Sequence, residues 1–287
     1  MNYILNSLRG VLIGIAEVIP GVSGGTVALI VGVYQRIIDS AAAVSRIAAS
    51  ALRLRFSEIP ASFRQIDFPL LLPLLVGMLL AIFGAASIIE PLLESSPEIM
   101  RGLFFGMIAI SIYVPYRLAA SSWQLREYLL AAIAAGLSFA LLSLPRAAEA
   151  SPTLPLVFFA AALAVCALVL PGVSGSFLLL AMGFYAPTIA AVNEKDFAYL
   201  GVFVLGAILG LLSFSSALSW LLENRRKATL VVMTGLMVGS LRAIWPWQDL
   251  SGNLMSPASF EPVLAVLAGV IVVGSVMLIE SRVHKAQ

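Results

Sequence analysis

A stretch that occurs twice constrains the fold of this chain more than any other feature. Residues 20–35 read PGVSGGTVALIVGVYQ and residues 171–186 read PGVSGSFLLLAMGFYA, with Pro, Gly, Val, Ser, Gly, Leu, Gly and Tyr at matching places. The offset is 151 residues, without a gap, in a chain of 287. A repeat at this spacing predicts two halves built on one plan.

Each copy interrupts an apolar run. Proline lacks a backbone N–H and disfavours helical backbone at the preceding residue, so helical segments should end at Ile19 and Leu170. The serines and glycines that follow predict a new helix start, with a serine hydroxyl as the N-cap. Each copy is therefore predicted to form a half-helix, a break and a second half-helix. Within a membrane, such breaks line a cavity or are buried in protein, and paired breaks point to a binding site.

Composition places the chain in the membrane. It is 61% hydrophobic and 11% charged, with a mean hydropathy of +1.02, which excludes an ordinary soluble domain. The net charge is only +2 and the basic residues do not cluster with aromatics, so no nucleic-acid partner is expected. The only histidine is His284 and the only cysteine is Cys166, so we expect no histidine-based metal site, no catalytic histidine and no cofactor.

Apolar segments of about 20 residues, long enough to cross a bilayer, recur in the same order in both halves of one membrane domain that spans residues 1–287. An arginine-rich amphipathic region at 36–67 is predicted to lie at the membrane interface, where anionic headgroups attract it. The first repeat, 8–144, has a broken segment at 8–35 and spans at about 69–90, 99–119 and 126–144; the second, 154–281, has a broken segment at 154–192 and spans at about 197–222, 228–246 and 261–281.

The charge distribution favours one topology. If each broken segment is a re-entrant hairpin, three spans per half invert the second half relative to the first. With cytoplasmic N- and C-termini, thirteen Lys and Arg residues then lie inside and four lie outside: Arg101, Arg146, Lys195 and Arg242. If each broken segment instead crosses fully, the two halves share one orientation and the N-terminus lies outside. We predict an all-α integral membrane protein with an inverted repeat of two halves, each a re-entrant broken hairpin plus three transmembrane helices.

The repeated motif is a candidate anion site. Two half-helix N-termini near the membrane midplane would present N–H groups and positive dipole ends, and a phosphate suits them best. The alternative is that these residues only cap helices and allow close crossing. The candidate phosphate-binding residues are Ser23, Gly24, Gly25 and Thr26 in the first copy and Ser174, Gly175 and Ser176 in the second.

Three charged residues extend this prediction. Glu17 lies three residues before Pro20, where a carboxylate is costly unless it is paired, protonated or hydrated, so it is a candidate for proton coupling or for pairing with a cation. Alternatively, it accepts backbone N–H bonds beside the break. Arg101 and Arg242 lie near the outer ends of spans, where a guanidinium could receive a lipid phosphate, or could simply snorkel to the interface.

Three stretches together resemble the signature stretches of the bacterial polyprenyl-phosphate transporter family. They are residues 14–26 (GIAEVIPGVSGGT), 170–177 (LPGVSGSF) and 235–246 (GLMVGSLRAIWP), and the resemblance runs from about residue 8 to about residue 281. Glu17 departs from the family pattern, because many members have asparagine there. The resemblance implies a translocase in the bacterial cytoplasmic membrane that returns undecaprenyl phosphate from the outer to the cytoplasmic leaflet for envelope polymer synthesis.

Two other functions remain open at the level of sequence. One is an integral-membrane polyprenyl-lipid phosphatase or phosphotransferase, and the other is a small-anion transporter that uses the same hairpins. The expected partners are undecaprenyl phosphate and membrane lipids, with a homo-oligomer as a further option. Coupling to protons or to another ion is also open.

Overall fold

The computed structural model describes residues 3–18, 23–119, 122–143, 153–249 and 253–285. In these ranges the chain is helical, apart from turns and an isolated β-bridge between Gln248 and Leu254, so the predicted all-α fold is confirmed. Short 3₁₀ turns lie at Phe56–Glu58 and Leu241–Ile244. The α-helices are α1 (Tyr3–Val18), α2 (Gly24–Ile30), α3 (Tyr34–Leu52), α4 (Ile59–Phe63), α5 (Phe68–Ser95), α6 (Pro97–Ser111), α7 (Tyr113–Leu118), α8 (Leu125–Leu142), α9 (Leu154–Val169), α10 (Gly175–Ala181), α11 (Tyr185–Glu194), α12 (Phe197–Asn224), α13 (Arg226–Ser240) and α14 (Glu261–Lys285).

Every predicted span coincides with helical structure: α5, α6 with α7, α8, α12, α13 with its 3₁₀ turn, and α14. Among the described residues, four helices are long and apolar enough to cross a membrane: Pro97–Leu118, Leu125–Leu142, Phe197–Asn224 and Arg226–Ile244. A fifth candidate is a pair of helices, Phe56–Phe63 and Phe68–Ile82, bent by 69°. These helices indicate a multi-pass membrane protein.

The outer surface agrees with this setting. Large apolar side chains are exposed along several helices, and water would penalise so much apolar surface, whereas lipid does not. Representative residues are Leu80 on α5, Ile133 and Leu137 on α8, and Val204 and Ile208 on α12. The larger buried cluster instead surrounds the first motif and includes Val33, Tyr34 and Leu70, and a smaller cluster around the second motif includes Val157 and Leu179.

The repeated motif forms the same local structure twice. Helix α9 ends at Val169, with extended backbone at Leu170, as Pro171 predicts. The corresponding prediction for Ile19 and Pro20 lies outside the described residues. The second half-helices, α2 and α10, have only seven residues each. Each is closed by a glycine in the left-handed region, Gly32 at φ 72° and Gly183 at φ 78°, with the paired backbone bonds of a Schellman cap. A new helix then begins at Tyr34 and at Tyr185.

The first helix of each half lies along the first full span of the same half, and both run in the same direction. Gly10 packs against the backbone of Leu74, and Gly14, one turn further along α1, packs against Met78, one turn further along α5. The second half repeats this arrangement between α9 and α12, through Phe158 with Gly206 and Ala162 with Gly210.

Each of the remaining spans packs against a span of the other half. Helix α6 of the first half packs along α14 of the second, and α13 of the second packs along α8 of the first. Gly102 lies on the backbone of Pro262 and Gly106 on that of Val266, so α6 and α14 also run in the same direction. Glycines four residues apart allow this close approach. The pair α8 and α13 matches it, with Gly235 on Ala131 and Gly239 on Ala135.

The arginine-rich region at 36–67 contains α3, a 3₁₀ turn and α4, and α3 packs against α12. Its arginines are partly neutralised within the region. The Arg36 guanidinium donates to Asp67 at 2.8 Å, and Arg55 lies 3.6 Å from Glu58. The second half has no counterpart of this excursion, because α11 ends at Glu194 and α12 begins three residues later at Phe197.

Candidate functional site

The first copy of the motif contacts the second break directly. Helix α9 ends at Val169, so its last carbonyl groups lack partners within the helix. Side chains of the first copy supply hydrogen-bond donors to these carbonyl groups. The Ser23 hydroxyl lies 3.4 Å from the Leu168 oxygen and 3.3 Å from the Leu170 oxygen. The Tyr34 hydroxyl donates to the Val169 oxygen at 3.0 Å. The first copy thus braces the end of the helix that precedes the second break.

Thr26 completes this contact from the same copy. Its Oγ1 accepts the backbone N–H of Gly172 at 3.0 Å. Gly172 has φ +82°, a left-handed conformation that favours glycine, and a Cβ there would overlap the backbone of Met237 on α13. Ser23 and Thr26 are each only 1% exposed. The second break is therefore fixed by α2 on one side and by α13 on the other.

The predicted N-cap role of the Ser23 hydroxyl is wrong. Ser23 occupies the N-cap position of α2 with extended backbone, but its hydroxyl makes no capping bond to that helix. The reason is tertiary, because the hydroxyl is directed to the carbonyl groups of the other break. The helix start is satisfied instead by Glu17, whose Oε1 accepts the N–H of Gly24 at 3.1 Å. This is the backbone bond that the alternative reading of Glu17 expected.

Gly24 and Gly25 are pressed against these groups. A Cβ on Gly24 would collide with the Glu17 carboxylate, and one on Gly25 would come within 2.8 Å of the Val169 oxygen. Helix α2 therefore already has a carboxylate, that of Glu17, at its N-terminus. That carboxylate occupies a position where the sequence predicts an external anion.

The second copy differs at this point. The residue in the place of Glu17 is Leu168, and a Cβ on Gly175 would lie 3.2 Å from the Leu168 Cβ. An apolar side chain thus faces the start of α10 where a carboxylate faces the start of α2. The Ser174 and Ser176 hydroxyls lie 3.0 Å apart; Ser174 is 8% exposed, and Ser176 is exposed. The second copy therefore has an exposed hydroxyl residue, Ser176, whereas Ser23 and Thr26 of the first copy are buried.

The two candidate arginines meet around one loop. Arg101 donates to the Gln248 backbone oxygen at 3.3 Å, and the Gln248 side chain donates to the Arg242 backbone oxygen at 3.0 Å. The Arg242 Nε also donates to the Ser143 hydroxyl at 3.2 Å. Aromatic rings pack beside them: Trp245 contacts Phe105 and Trp247. Arginine beside tryptophan is typical of a membrane–water interface. Arg146, the other predicted outer arginine, lies outside the described residues.

Both arginines lie beyond the breaks at the same end of the molecule. Gly172 of the second break packs against Met237, and Arg242 follows Met237 by five residues. Thr26 lines a cavity together with Met107, and Arg101 precedes Met107 by six residues. At 1.5 Å per helical residue, the separations are about 7.5 Å and about 9 Å along the helix axis. Both arginines therefore lie on the same side of the second break and Thr26.

An apolar cavity adjoins the first copy. It has a volume of about 90 Å³ and lies between α1, α2, α6 and α14. Thr26 and Ser111 are its polar lining residues, and the rest of the wall is apolar, including Leu12, Ile108 and Val273. Thr26 therefore has the second break on one side and an apolar space on the other. Such a space suits hydrocarbon rather than a hydrated ion.

One residue of this site was missed from the sequence. Tyr34 is one of the matching positions of the repeat, so the signal was present, but nothing in the sequence indicates a partner for its hydroxyl. In the part of the chain that the structure describes, no group of three or more His, Cys, Asp or Glu residues is arranged to hold a metal ion.

Comparison with known proteins gives consistent matches. A family described as undecaprenyl phosphate translocase-like matches residues 13–261. A polyprenyl-phosphate transporter of Vibrio cholerae serotype O1 is 38% identical over 266 residues, which cover 92% of this chain and 85% of that protein. A polyprenyl-phosphate transporter of Staphylococcus aureus is 30% identical over 262 residues, covering 84% and 86% of the two chains. No solved structure matches the chain significantly.

Proposed function

We propose, because the chain belongs to the undecaprenyl phosphate translocase-like family, that it transports polyprenyl phosphate across the membrane without covalent chemistry. Its relatives are named as transporters, not as enzymes. In finer terms, it returns undecaprenyl phosphate from the outer to the cytoplasmic leaflet of the bacterial cytoplasmic membrane, where the lipid is needed again for envelope polymer synthesis. A phosphate headgroup is too costly to cross hydrocarbon without shelter.

An inverted repeat with opposed re-entrant hairpins fits this function. The directions of the helix pairs support it. A hairpin that returns to its own face lets α1 and α5 start on one side and run in the same direction, as do α9 and α12. Three spans per half likewise make α6 parallel to α14 and α8 parallel to α13. Full crossing by the broken segments would make all four pairs antiparallel. With this topology, the positive-inside rule places both termini in the cytoplasm.

The phosphate is bound where the first copy contacts the second break. The observation that carries this site is the contact of Ser23, Thr26 and Tyr34 with the second break, because it holds irregular backbone from both halves at one place. Ser174, Gly175 and Ser176 supply the accessible hydroxyl and first-turn N–H donors. Ser23, Gly24, Gly25 and Thr26 form the opposite wall. Since α2 and α10 have seven residues each, local donors contribute more than a helix dipole.

Arg101 and Arg242 receive the phosphate before it reaches the breaks. Both lie at the end of the molecule that the proposed topology places outside, beside interfacial tryptophans. Guanidinium groups bind phosphate oxygens in pairs. The apolar cavity next to Thr26 favours a lipid over a small anion, since hydrocarbon can follow the headgroup there. Glu17 is the candidate for proton coupling, because its carboxylate lies beside the first break within the membrane.

The test is transport by purified protein in vesicles of phosphatidylethanolamine and phosphatidylglycerol that contain undecaprenyl phosphate. The double variant S174A/S176A removes the exposed Ser176 hydroxyl and the buried Ser174 hydroxyl beside it, and we expect transport to fall at least about tenfold, the factor that corresponds to about 1.4 kcal/mol. The matched control is Ser215→Ala, which removes a fully buried hydroxyl that bonds only to Leu212 in its own helix. The control should transport as wild type does.

Three outcomes would contradict the proposal. Wild-type transport by S174A/S176A would remove the second copy from the site. Equal transport of inorganic phosphate, with no dependence on the polyprenyl chain, would identify a small-anion transporter. Release of phosphate from the lipid by the wild type would identify a phosphatase.

A further inference from the structure

A basic pocket lies at the end of the molecule opposite to Arg101 and Arg242. It is formed where the first turn of α8 meets the junction of α12 and α13, and it has a volume of about 310 Å³. Neither break contributes to its lining. Its charged lining residues are Arg126, Glu127, Arg225, Arg226 and Lys227.

The positive charge in this pocket is only partly neutralised. Glu127 is the one carboxylate of the lining, and it is already engaged by Lys227 at 3.1 Å and by the N–H of Gln124 at 2.9 Å. Lys227 is further held by the Ser122 backbone oxygen at 3.4 Å. Four cationic side chains against one carboxylate leave three positive charges. Within the described ranges, no carboxylate lies in ion-pair range of the three arginines.

This distinguishes the pocket from the other basic part of the protein. In the 36–67 region, Arg36 is paired with Asp67 and Arg55 with Glu58. In the pocket, by contrast, the guanidinium groups surround one space. Concave clusters of one charge sign concentrate counter-ions.

Aromatic residues give the depth of the pocket in the membrane. The Trp123 ring lies 4.8 Å from Tyr116 and 5.3 Å from Tyr128, on the segment that leads into α8 and on α8 itself. Tryptophan and tyrosine prefer the headgroup level of a bilayer. The adjoining arginines are therefore at the level where phosphates lie, and planar guanidinium groups bind two phosphate oxygens at once.

We propose that this pocket binds a phosphate group, presented by a lipid headgroup or by free phosphate, at a site separate from the two breaks. This proposal does not depend on the proposed transport function, because the pocket lining includes none of the residues that contact the second break. Occupation would anchor the α12–α13 junction at one membrane face. Lys227 and Glu127 position the wall, and Arg126, Arg225 and Arg226 contact the phosphate.

The test uses the full-length protein and the triple variant R126Q/R225Q/R226Q. Two probes are used in separate arms: phosphatidylglycerol, followed by native mass spectrometry, and sodium phosphate, followed by calorimetry. We expect affinity for one of the probes to fall at least about tenfold in the triple variant. A loss confined to phosphatidylglycerol assigns the ligand to lipid, and a loss confined to sodium phosphate assigns it to the free ion.

The matched control is R53Q/R55Q/R64Q, which removes the same charge from exposed arginines of the 36–67 region. It should bind sodium phosphate within about twofold of wild type, and it should lose less affinity for phosphatidylglycerol than R126Q/R225Q/R226Q does. The reason is that a single exposed charge contributes little, and Arg55 is already paired with Glu58. The proposal fails if R126Q/R225Q/R226Q binds both probes as wild type does. It also fails if the control loses as much affinity, because binding would then follow net charge and not the pocket.

Discussion

The two copies of the repeated motif have the same short second half-helix and the same glycine cap but use their polar groups differently. In the first copy, Ser23 and Thr26 are buried and bonded to the second break, and Glu17 caps the new helix. In the second copy, Ser174 and Ser176 bond to each other, and Leu168 takes the place of the carboxylate. The polar side chains of the first copy therefore hold the backbone of the second copy in place.

This difference has a simple physical origin. The proline and the glycines dictate a break in either copy, because they act on the local backbone. The partner of a hydroxyl, in contrast, depends on what lies across from it. Since the first copy contacts the second break, the hydroxyls of that copy are consumed in the contact, and only the other copy can present them to a ligand. Duplicated sequence thus gives duplicated structure without duplicated chemistry.

The largest effect is expected at the glycine that joins the copies. Gly172→Ala places a Cβ in a left-handed conformation and against the Met237 backbone, and we expect a loss of about 3 kcal/mol or more in stability. Thermal unfolding in detergent measures it. The control is Gly136→Ala on α8, where a Cβ would meet nothing within 4 Å and should be neutral or stabilising. Equal unfolding temperatures for the two variants would mean that the break is not held as described.

Thr26→Val tests the support role of the first copy. The change removes the acceptor of the Gly172 N–H while preserving shape, and an unsatisfied buried donor costs about 1–3 kcal/mol. We expect lower stability in thermal unfolding, with only a small loss of polyprenyl-phosphate binding by the folded protein, because Thr26 lines the site but its hydroxyl oxygen is engaged by Gly172. The reverse result, full stability with lost binding, would assign Thr26 to the ligand instead.

Leu168→Glu makes the second copy resemble the first. A carboxylate facing Gly175 would occupy the start of α10 and repel a phosphate, so binding of polyprenyl phosphate should fall at least about tenfold. Leu168→Gln is the control for polarity without charge and should bind more tightly than the glutamate variant. Native mass spectrometry with the lipid measures both. If glutamate and glutamine reduce binding equally, the charge at this position has no role.

Glu17 is expected to give the smallest change in stability. Glu17→Gln keeps an oxygen that accepts the Gly24 N–H, so stability should change by less than about 1 kcal/mol, whereas Glu17→Ala should lose more. If the carboxylate couples transport to protons, the glutamine variant loses the response to an imposed pH gradient in vesicles. An unchanged response would limit Glu17 to its capping role.

Much of the helical plan followed from the sequence. Hydropathy located each span, and proline located the helix end at Val169, because both signals are local. The glycines at 32 and 183 were part of the repeat, yet their effect of shortening α2 and α10 to seven residues was not anticipated. The contacts of Ser23 were not predictable either, since its partners lie almost 150 residues away along the chain.

The same limit applies to the packing of the spans. Glycines four residues apart in α6 and α13 indicated close helix contacts, but nothing local could specify a partner from the other half. The two arginines were predicted near one membrane face from charge bias alone. Their convergence on Gln248 depends on the loop after α13, which has no periodic pattern to read.

The packing of spans against those of the other half has a consequence for biosynthesis. Helix α6 leaves the ribosome before α14 does, yet Gly102 and Gly106 have their neighbours there. The face of α6 that carries these glycines therefore stays without its partner helix until α14 has been inserted. Loss of α14 would remove that partner from the opposite half of the protein. Each half thus depends on the other to complete the packing of its spans.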